Sequence, residues 1–415
     1  MRSEAPARRM SSPGVIAILG ALTAFGPVSM DTYLPGLPEL SRDLGASASE
    51  TQLTLTACLF GLAAGQLLAG PASDALGRRR PLLAGLAGFA VASVLCAAAP
   101  EVWSLVAARL LQGVAGAVGI VIARAIARDL HSGEALARFL AVLMLVNGLA
   151  PILAPIVGAQ LLHVTDWRGV FLVLAGLGLL LLAVSAVVLP ETLAPERRHR
   201  GGLATTRRAF RELLSDRRFL GYVLSCGFVF AAMFAYIAGS PFVLQEIHGL
   251  SEQTYSLVFG SNAAGIMAMS GVSGRLVGRR GPATLVVAGL ALQGFGAVVL
   301  LVSVLAGDGL VGVLVGLFLV VSSVGLVFPN ATALALGDHP DRAGSASALL
   351  GLCQFLFGAA AAPLVGVAGT ATAVPMAVVI AVSSALAALV YRALSASRRI
   401  PPPWYPSEPP PPSPA

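Results

Sequence analysis

Twelve runs of roughly 20 mostly apolar residues, the length a bilayer core demands of one helix, dominate this chain and leave little else to fold. In the first half they are Gly14–Leu34, Thr51–Gly70, Pro81–Ala99, Val102–Ile122, Phe139–Leu162 and Gly169–Leu189. In the second they are Leu220–Leu244, Tyr255–Leu276, Pro282–Ala306, Leu310–Pro329, Ser345–Gly366 and Ala371–Leu394. Only 11% of the residues are charged, against about 25% in soluble domains, so water is not the main solvent. The pattern predicts an all-α integral membrane protein of twelve transmembrane helices in two six-helix bundles. The predicted division is 1–190 for the first bundle, 191–218 for a basic linker, 219–396 for the second bundle and 397–415 for a proline-rich, disordered tail.

An even number of spans puts both termini on one side, and the basic residues say which. All 27 are arginine. Links holding Arg78–Arg80, Arg128 and Arg138, the block Arg197–Arg218, Arg275–Arg280 and Arg342 alternate with links holding only Arg42 and Arg168. The positive-inside rule makes the first set, and both termini, cytoplasmic. The charge of +7 then reports topology and not nucleic-acid binding. The linker arginines could also meet anionic lipid head groups, although a solvated joint is explanation enough. The first apolar segment, preceded by Arg2, Arg8 and Arg9, outruns the roughly 7–15 residues of a signal core and reads as a retained helix. Cys58, Cys96, Cys226 and Cys353 all fall inside apolar runs and are expected to be free thiols.

The halves echo one another. Gly70, Gly77, Arg78 and Arg79 return as Gly271, Gly278, Arg279 and Arg280, 201 positions on, which places Arg275 where Asp74 stands. Ala154-Pro155-Ile156-Val157-Gly158 returns as Ala362-Pro363-Leu364-Val365-Gly366, 208 positions on. Two bundles, a charged joint and a duplicated loop resemble the arrangement of a major facilitator superfamily transporter.

The motifs carry the likeness further. Met30-Asp31-Thr32-Tyr33-Leu34-Pro35-Gly36-Leu37-Pro38, the loop Asp74-x-x-Gly77-Arg78-Arg79 and Arg109-x-x-Gln112-Gly113 resemble the Bcr/CflA group of drug exporters. So do Asn147 to Pro155, Trp167-Arg168-Gly-Val-Phe171, Pro329-Asn330 and Ala343 to Ala348. The Asn147–Pro155 stretch resembles an antiporter motif, with Ala154 and Ala159 where the family more often has glycine. The resemblance implies a drug:proton antiporter acting on chloramphenicol- or bicyclomycin-like compounds across the bacterial cytoplasmic membrane. Its partners would be a small-molecule drug, protons and the lipid bilayer, and it would act as a monomer. An uptake or metabolite-exchange transporter of the same fold is the alternative, and a membrane-embedded enzyme or receptor a more distant one.

Ionisable groups inside apolar runs are costly and read as functional; here they are Asp31, Arg109 and Arg124. Asp31 and Arg109 each fall about 10 Å inside the outer boundary at 1.5 Å per residue. Their matched depths suggest that Asp31 takes up the proton and Arg109 tunes it. The bland readings are a helix-end residue for Asp31 and a structural ion pair, or backbone contacts, for Arg109. Asn147, near mid-membrane, is a cavity hydrogen-bonder or an interhelical one, and Tyr33, Gln112, Tyr236, Asn262 and Gln354, with Gln293, are further cavity candidates. Gly70, Asp74, Gly77, Arg78, Arg79, Arg124, Asp129, Pro151, Pro155 and Gly158 are expected to serve gating. By resemblance, Arg78 joins Asp129, and Asp74 approaches the start of the eleventh helix. With no lysine a phosphate-binding loop cannot form, His131, His163, His199, His248 and His339 are scattered, and no enzyme, cofactor or metal is expected. The proton gradient is the expected driver.

Overall fold

The computed structural model describes residues 13–130, 133–195, 198, 210–307, 309–339, 342–367, 369 and 371–395; the tail expectation for 397–415 and part of the linker lie outside them. Among the described residues the structure is helical, with no strand. Six long helices make the first half: α1 (Pro13–Asp31), α2 (Ala48–Leu76), α3 (Arg79–Ala97), α4 (Val102–Leu130), α5 (Gly133–Leu162) and α6 (Trp167–Val188). Six make the second: α7 (Arg217–Pro241), α8 (Glu252–Arg280), α9 (Pro282–Ala306), α10 (Leu310–Gly337), α11 (Ala343–Ala361) and α12 (Val374–Val390).

Ten segments are long and apolar enough to cross a membrane, and α5 adds the shorter apolar stretch Gly148–Leu162. Helix α8 falls short of that threshold because Gln253, Ser256, Asn262, Ser270 and Ser273 interrupt it, and Ser256, Asn262 and Ser273 are buried inside the protein. Wherever helices cross without water between them, small residues let backbones approach. A Cβ on Gly61, Gly65 or Gly113 would meet the backbone of the facing helix in the α2–α4 pair, and Gly296 and Gly316 play this part between α9 and α10.

The duplication lies in a different register from the sequence repeat. Helices α2 and α8 are each 29 residues long. Ser47 and Ser251 cap their starts, Ser47 in a capping box with Glu50, and Gly77 and Gly281 close them at φ 91° and 74°. Each pair is 204 positions apart, so the spacing of 201 read from the glycines and arginines is three residues off. Gly278 lies within α8 with open space around it, and Arg279 and Arg280 belong to the last helical turn, where cations suit the dipole. Counted from the helix ends, the position that matches Asp74 is Gly278, three residues beyond Arg275.

Prolines set two further corrections. The first span does not run helically to Leu34: Pro35 and Pro38 lack the N–H groups a continuing helix needs, so α1 stops at Asp31. A 3-10 turn (Leu34–Gly36) and a short helix (Leu37–Asp43) carry the chain on. Pro363 likewise ends α11 at Ala361, followed by a 3-10 turn through Gly366. The matching Pro155 stays inside α5. Between the halves, 210–215 is a short helix, and Asp216 caps α7 by accepting from Arg218 N–H at 2.8 Å, so the helix begins within the basic block. Cys58, Cys96 and Cys226 are buried, Cys353 is half-buried, and all four are free.

Candidate functional site

The break in α1 organises the site. Ending at Asp31 leaves carbonyls of the last turn without N–H partners. Thr32 returns both its N–H (3.1 Å) and its hydroxyl (2.6 Å) to Val28 O. Ser29 O receives Arg109 Nη1 at 3.2 Å, so the guanidinium caps the broken end, where the helix dipole favours a cation. Arg109 also donates to Gln112 Oε1 and lies 4.5 Å over the Tyr33 ring and 5.6 Å from that of Phe171. Gln112 passes its own amide to Ser93 Oγ at 2.7 Å, and the Tyr33 hydroxyl meets Thr54 Oγ1 at 3.1 Å.

This arrangement revises three expectations. Arg109 is fully buried and donates to a backbone carbonyl and an amide, not to Asp31. Its Nε and Nη2 have no hydrogen-bond partner among the described residues. Tyr33 and Gln112, both 0% exposed, belong to the interior of the first bundle and not to the cavity. They were mistaken for cavity groups because helical spacing alone does not say which face meets the other half.

Asp31 does reach the cavity. A space of about 300 Å³ lies between the bundles, and Asp31, 6% exposed, lines it with Gln66 and Arg124, all from the first half. The second half supplies an aromatic wall of Phe230, Phe234, Tyr236, Phe259 and Phe355. Phe230 and Phe234 stack at 4.7 Å, Tyr236 and Phe259 at 5.4 Å. Asn262 stands behind this wall and fixes the Tyr236 hydroxyl with a 3.0 Å bond. Pro151 also lines the cavity. Gln354 is half-buried and is not among the lining residues, Gln293 is buried with no hydrogen-bond partner for either amide atom among the described residues, and the side chain of Asn147 lies outside the described residues. The sequence reading missed Gln66 and the phenylalanines; the spacing of Phe230 and Phe234, one helical turn apart, was the available signal.

The cavity is closed at one end. Every cross-bundle hydrogen bond among the described residues lies at the end opposite the Arg78 loop: Ser49 Oγ to Pro363 O (2.8 Å), Gln52 Nε2 to Ala238 O (3.1 Å), Thr56 Oγ1 to Ala359 O (3.0 Å), Gln245 Nε2 to Pro35 O (3.1 Å) and Ser256 Oγ to Pro155 O (3.0 Å), with a contact of Gln253 to the His163 ring. Gly158 helps seal the first half there, because a Cβ on it would collide with the backbone of Thr32.

At the other end the loop after α2 binds its own half. Gly77, in a conformation that favours glycine, turns the chain so that Arg78 N–H and Arg79 N–H both point to the Glu191 carboxylate, at 2.8 and 3.3 Å. Arg78 Nε reaches Asp129 Oδ2 at 2.9 Å, which also accepts from Thr192 at 2.9 Å, and Nη1 holds Ser73 and Asp74. Burial would lower the affinity of Arg78 for its proton, but the Asp129 and Asp74 carboxylates more than reverse it and raise its pKa. Burial likewise pushes Glu191 up, and its bonds from Leu193, Arg78 and Arg79 N–H, with Arg198 nearby, bring it below the usual carboxylate range. Asp74 pairs within its own loop, with Arg78; the start of α11, which it was expected to approach, lies partly outside the described residues. Arg124 stays outside the network, on the cavity, and Gly70 has open space around it.

Comparison with known proteins agrees with this architecture. The Major Facilitator Superfamily model matches residues 17–363. The MFS-type transporter YdgK of Bacillus subtilis is 40% identical over 92% of this chain and 95% of its own. A bicyclomycin resistance protein homolog of Haemophilus influenzae is 32% identical over 87% and 91%. The multidrug resistance protein MdtL of Klebsiella pneumoniae is 31% identical over 80% and 83%. Among solved structures, a bacterial homolog of the human lysosomal transporter Spinster superposes with a TM-score of 0.73 at 16% identity, covering 94% of this chain and 100% of that one. A D-xylose-proton symporter does so with 0.70 at 17%, covering 92% and 97%. A two-bundle helical fold around a central cavity, matched along most of its length, makes this chain a membrane transporter and not an enzyme: it belongs to the major facilitator superfamily, in the Bcr/CflA-like family.

Proposed function

We propose that the protein exports small amphipathic drugs from the bacterial cytoplasm in exchange for protons, by rocking its two halves around the cavity. The observation that carries this reading is the cavity itself, where one carboxylate, Asp31, faces a wall of five aromatic rings. A ring-bearing compound can stack on that wall, and sugars, which need many polar partners, are poorly served there. The names of the bicyclomycin-resistance and multidrug-resistance relatives support the same cargo class.

In this reading Asp31 binds the exchanged proton, because it is the one carboxylate among the residues lining the cavity between the halves and an ionisable group held in the membrane interior is functional by default. Arg109 positions it: by donating to Ser29 O, two residues before the carboxylate, it holds the last turn of α1, which ends at Asp31. The Arg78 end is cytoplasmic by the positive-inside rule, both termini with it, so the present form is open to the cytoplasm and sealed outside. The protein acts as a monomer with no cofactor, drawing on the proton gradient. Purified protein in weakly buffered detergent should release protons when a binding drug from a panel is added, and cells with the gene should tolerate that drug better than cells without it. Unchanged susceptibility across a broad panel would favour uptake or metabolite exchange instead.

A further inference from the structure

We propose that Ser49, Gln52, Gln253 and Ser256 form a two-fold clasp that holds the outer end shut and sets how often the protein opens outward. This rests on the alternating-access reading above. The four residues occupy equivalent places. Counted from the capping serines Ser47 and Ser251, they are the second and fifth residues of α2 and of α8, so the internal symmetry presents one pair from each half. Positions three apart share a helix face, and here that face meets the other bundle.

What the clasp grips explains the second sequence repeat. Ser49 Oγ donates to Pro363 O at 2.8 Å, and Ser256 Oγ lies 3.0 Å from Pro155 O, sharing its one proton between that carbonyl and Glu252 O of its own helix at 2.8 Å. These are the prolines of the two Ala-Pro-x-Val-Gly copies, so each copy offers its proline carbonyl to a serine of the opposite half. Gln52 adds Ala238 O at 3.1 Å, and Gln253 meets His163. Pro363 contributes a further acceptor: having no N–H, it leaves Ala359 O unpaired in the helix, and Thr56 supplies the missing donor at 3.0 Å. The fit is close. A Cβ on Gly366 would stand 2.5 Å from Ser49 N and 2.7 Å from Gln52 Oε1, so the glycine that ends the motif is what lets α11 lie on α2.

The chemistry suits a contact remade every cycle. All five donors named here with carbonyl or ring partners are neutral, and one neutral hydrogen bond biases a population by only about two- to tenfold. A buried ion pair would be far harder to part. Backbone carbonyls cannot rotate away, so the bonds re-form in one register when the halves close.

Spin labels at Val164→Cys and Val367→Cys, both exposed at the outer end and in opposite halves, read the opening by pulsed electron resonance in a background lacking the native cysteines. Ser49→Ala and Ser256→Ala should each raise the ratio of long to short distances by about two- to tenfold, and the double variant by roughly the product. Ser225→Ala, which removes a 2.8 Å bond to Ala387 O inside the second half, should leave the ratio unchanged. A ratio that responds to pH or drug but not to the two serines overturns the clasp alone, as does an equal shift in Ser225→Ala. A single fixed distance in every variant and condition overturns alternating access with it.

Discussion

Arg109 and Asp31 show how much a residue's partners depend on backbone detail. Matched depth in sequence brings both to the same level of the membrane, but the prolines after Asp31 expose carbonyls that outcompete its carboxylate for the guanidinium. No spacing rule shows that competition, which is why the sequence leaves an ion pair and backbone contacts both open for Arg109. Asp31→Asn keeps the size of a side chain that makes no hydrogen bond among the described residues, so the protein should fold and still bind drug, while proton release on drug addition falls to background. Undiminished release would exclude Asp31 as the proton site. Arg109→Met keeps bulk over Tyr33 but uncaps Ser29 O and strands Gln112, at a cost of about 1–3 kcal/mol, measurable as a lower unfolding temperature. Outside the membrane, Glu191 carries a pH prediction. Its pKa is held below the unfolded 4.5, so its contribution is present above about pH 4.5 and is lost as pH falls through the lower folded value. Hydrogen exchange at Arg78 and Arg79 N–H should speed up in that acid range, and Glu191→Gln should flatten the dependence.

At the scale of elements, the apolar runs located all twelve long helices, because a helix in lipid must satisfy its own backbone and leaves length as the main variable. Ends were less legible. The glycine and arginine repeat gives a register three residues from that of the helix ends, because the caps Ser47 and Ser251 sit among unlike neighbours. Those caps are testable: Ser47→Ala and Ser251→Ala should each cost about 1 kcal/mol, seen as earlier melting of the purified protein. A Cβ at Gly113 would drive into the Cys58 carbonyl where α2 and α4 touch. Gly113→Ala should therefore cost about 1–3 kcal/mol and lower the yield of folded protein in the membrane. The same change at Gly70, which has open space, should be silent in both measurements.

For the whole molecule, the sequence made the two-bundle fold plain, whereas the side closed in this structure was not written in any motif. It follows from a balance of weak contacts between halves. Asp74 belongs to that balance: with its carboxylate tied to Arg78 here, Asp74→Asn should alter the ratio of outer-open to outer-closed molecules while leaving the order of drug preference unchanged. Competition binding across several drugs checks the second point, and a reordered preference would remove Asp74 from the gate. The cavity, finally, is unequal. The first half brings a carboxylate, an amide and a guanidinium, and the second brings the rings. Under the proposed function, one half is the engine and the other the taste. Descendants of this gene can explore new cargo by exchanging aromatic residues on α7, α8 and α11 with the energy-converting half untouched, so resistance to an unfamiliar compound should first arise there.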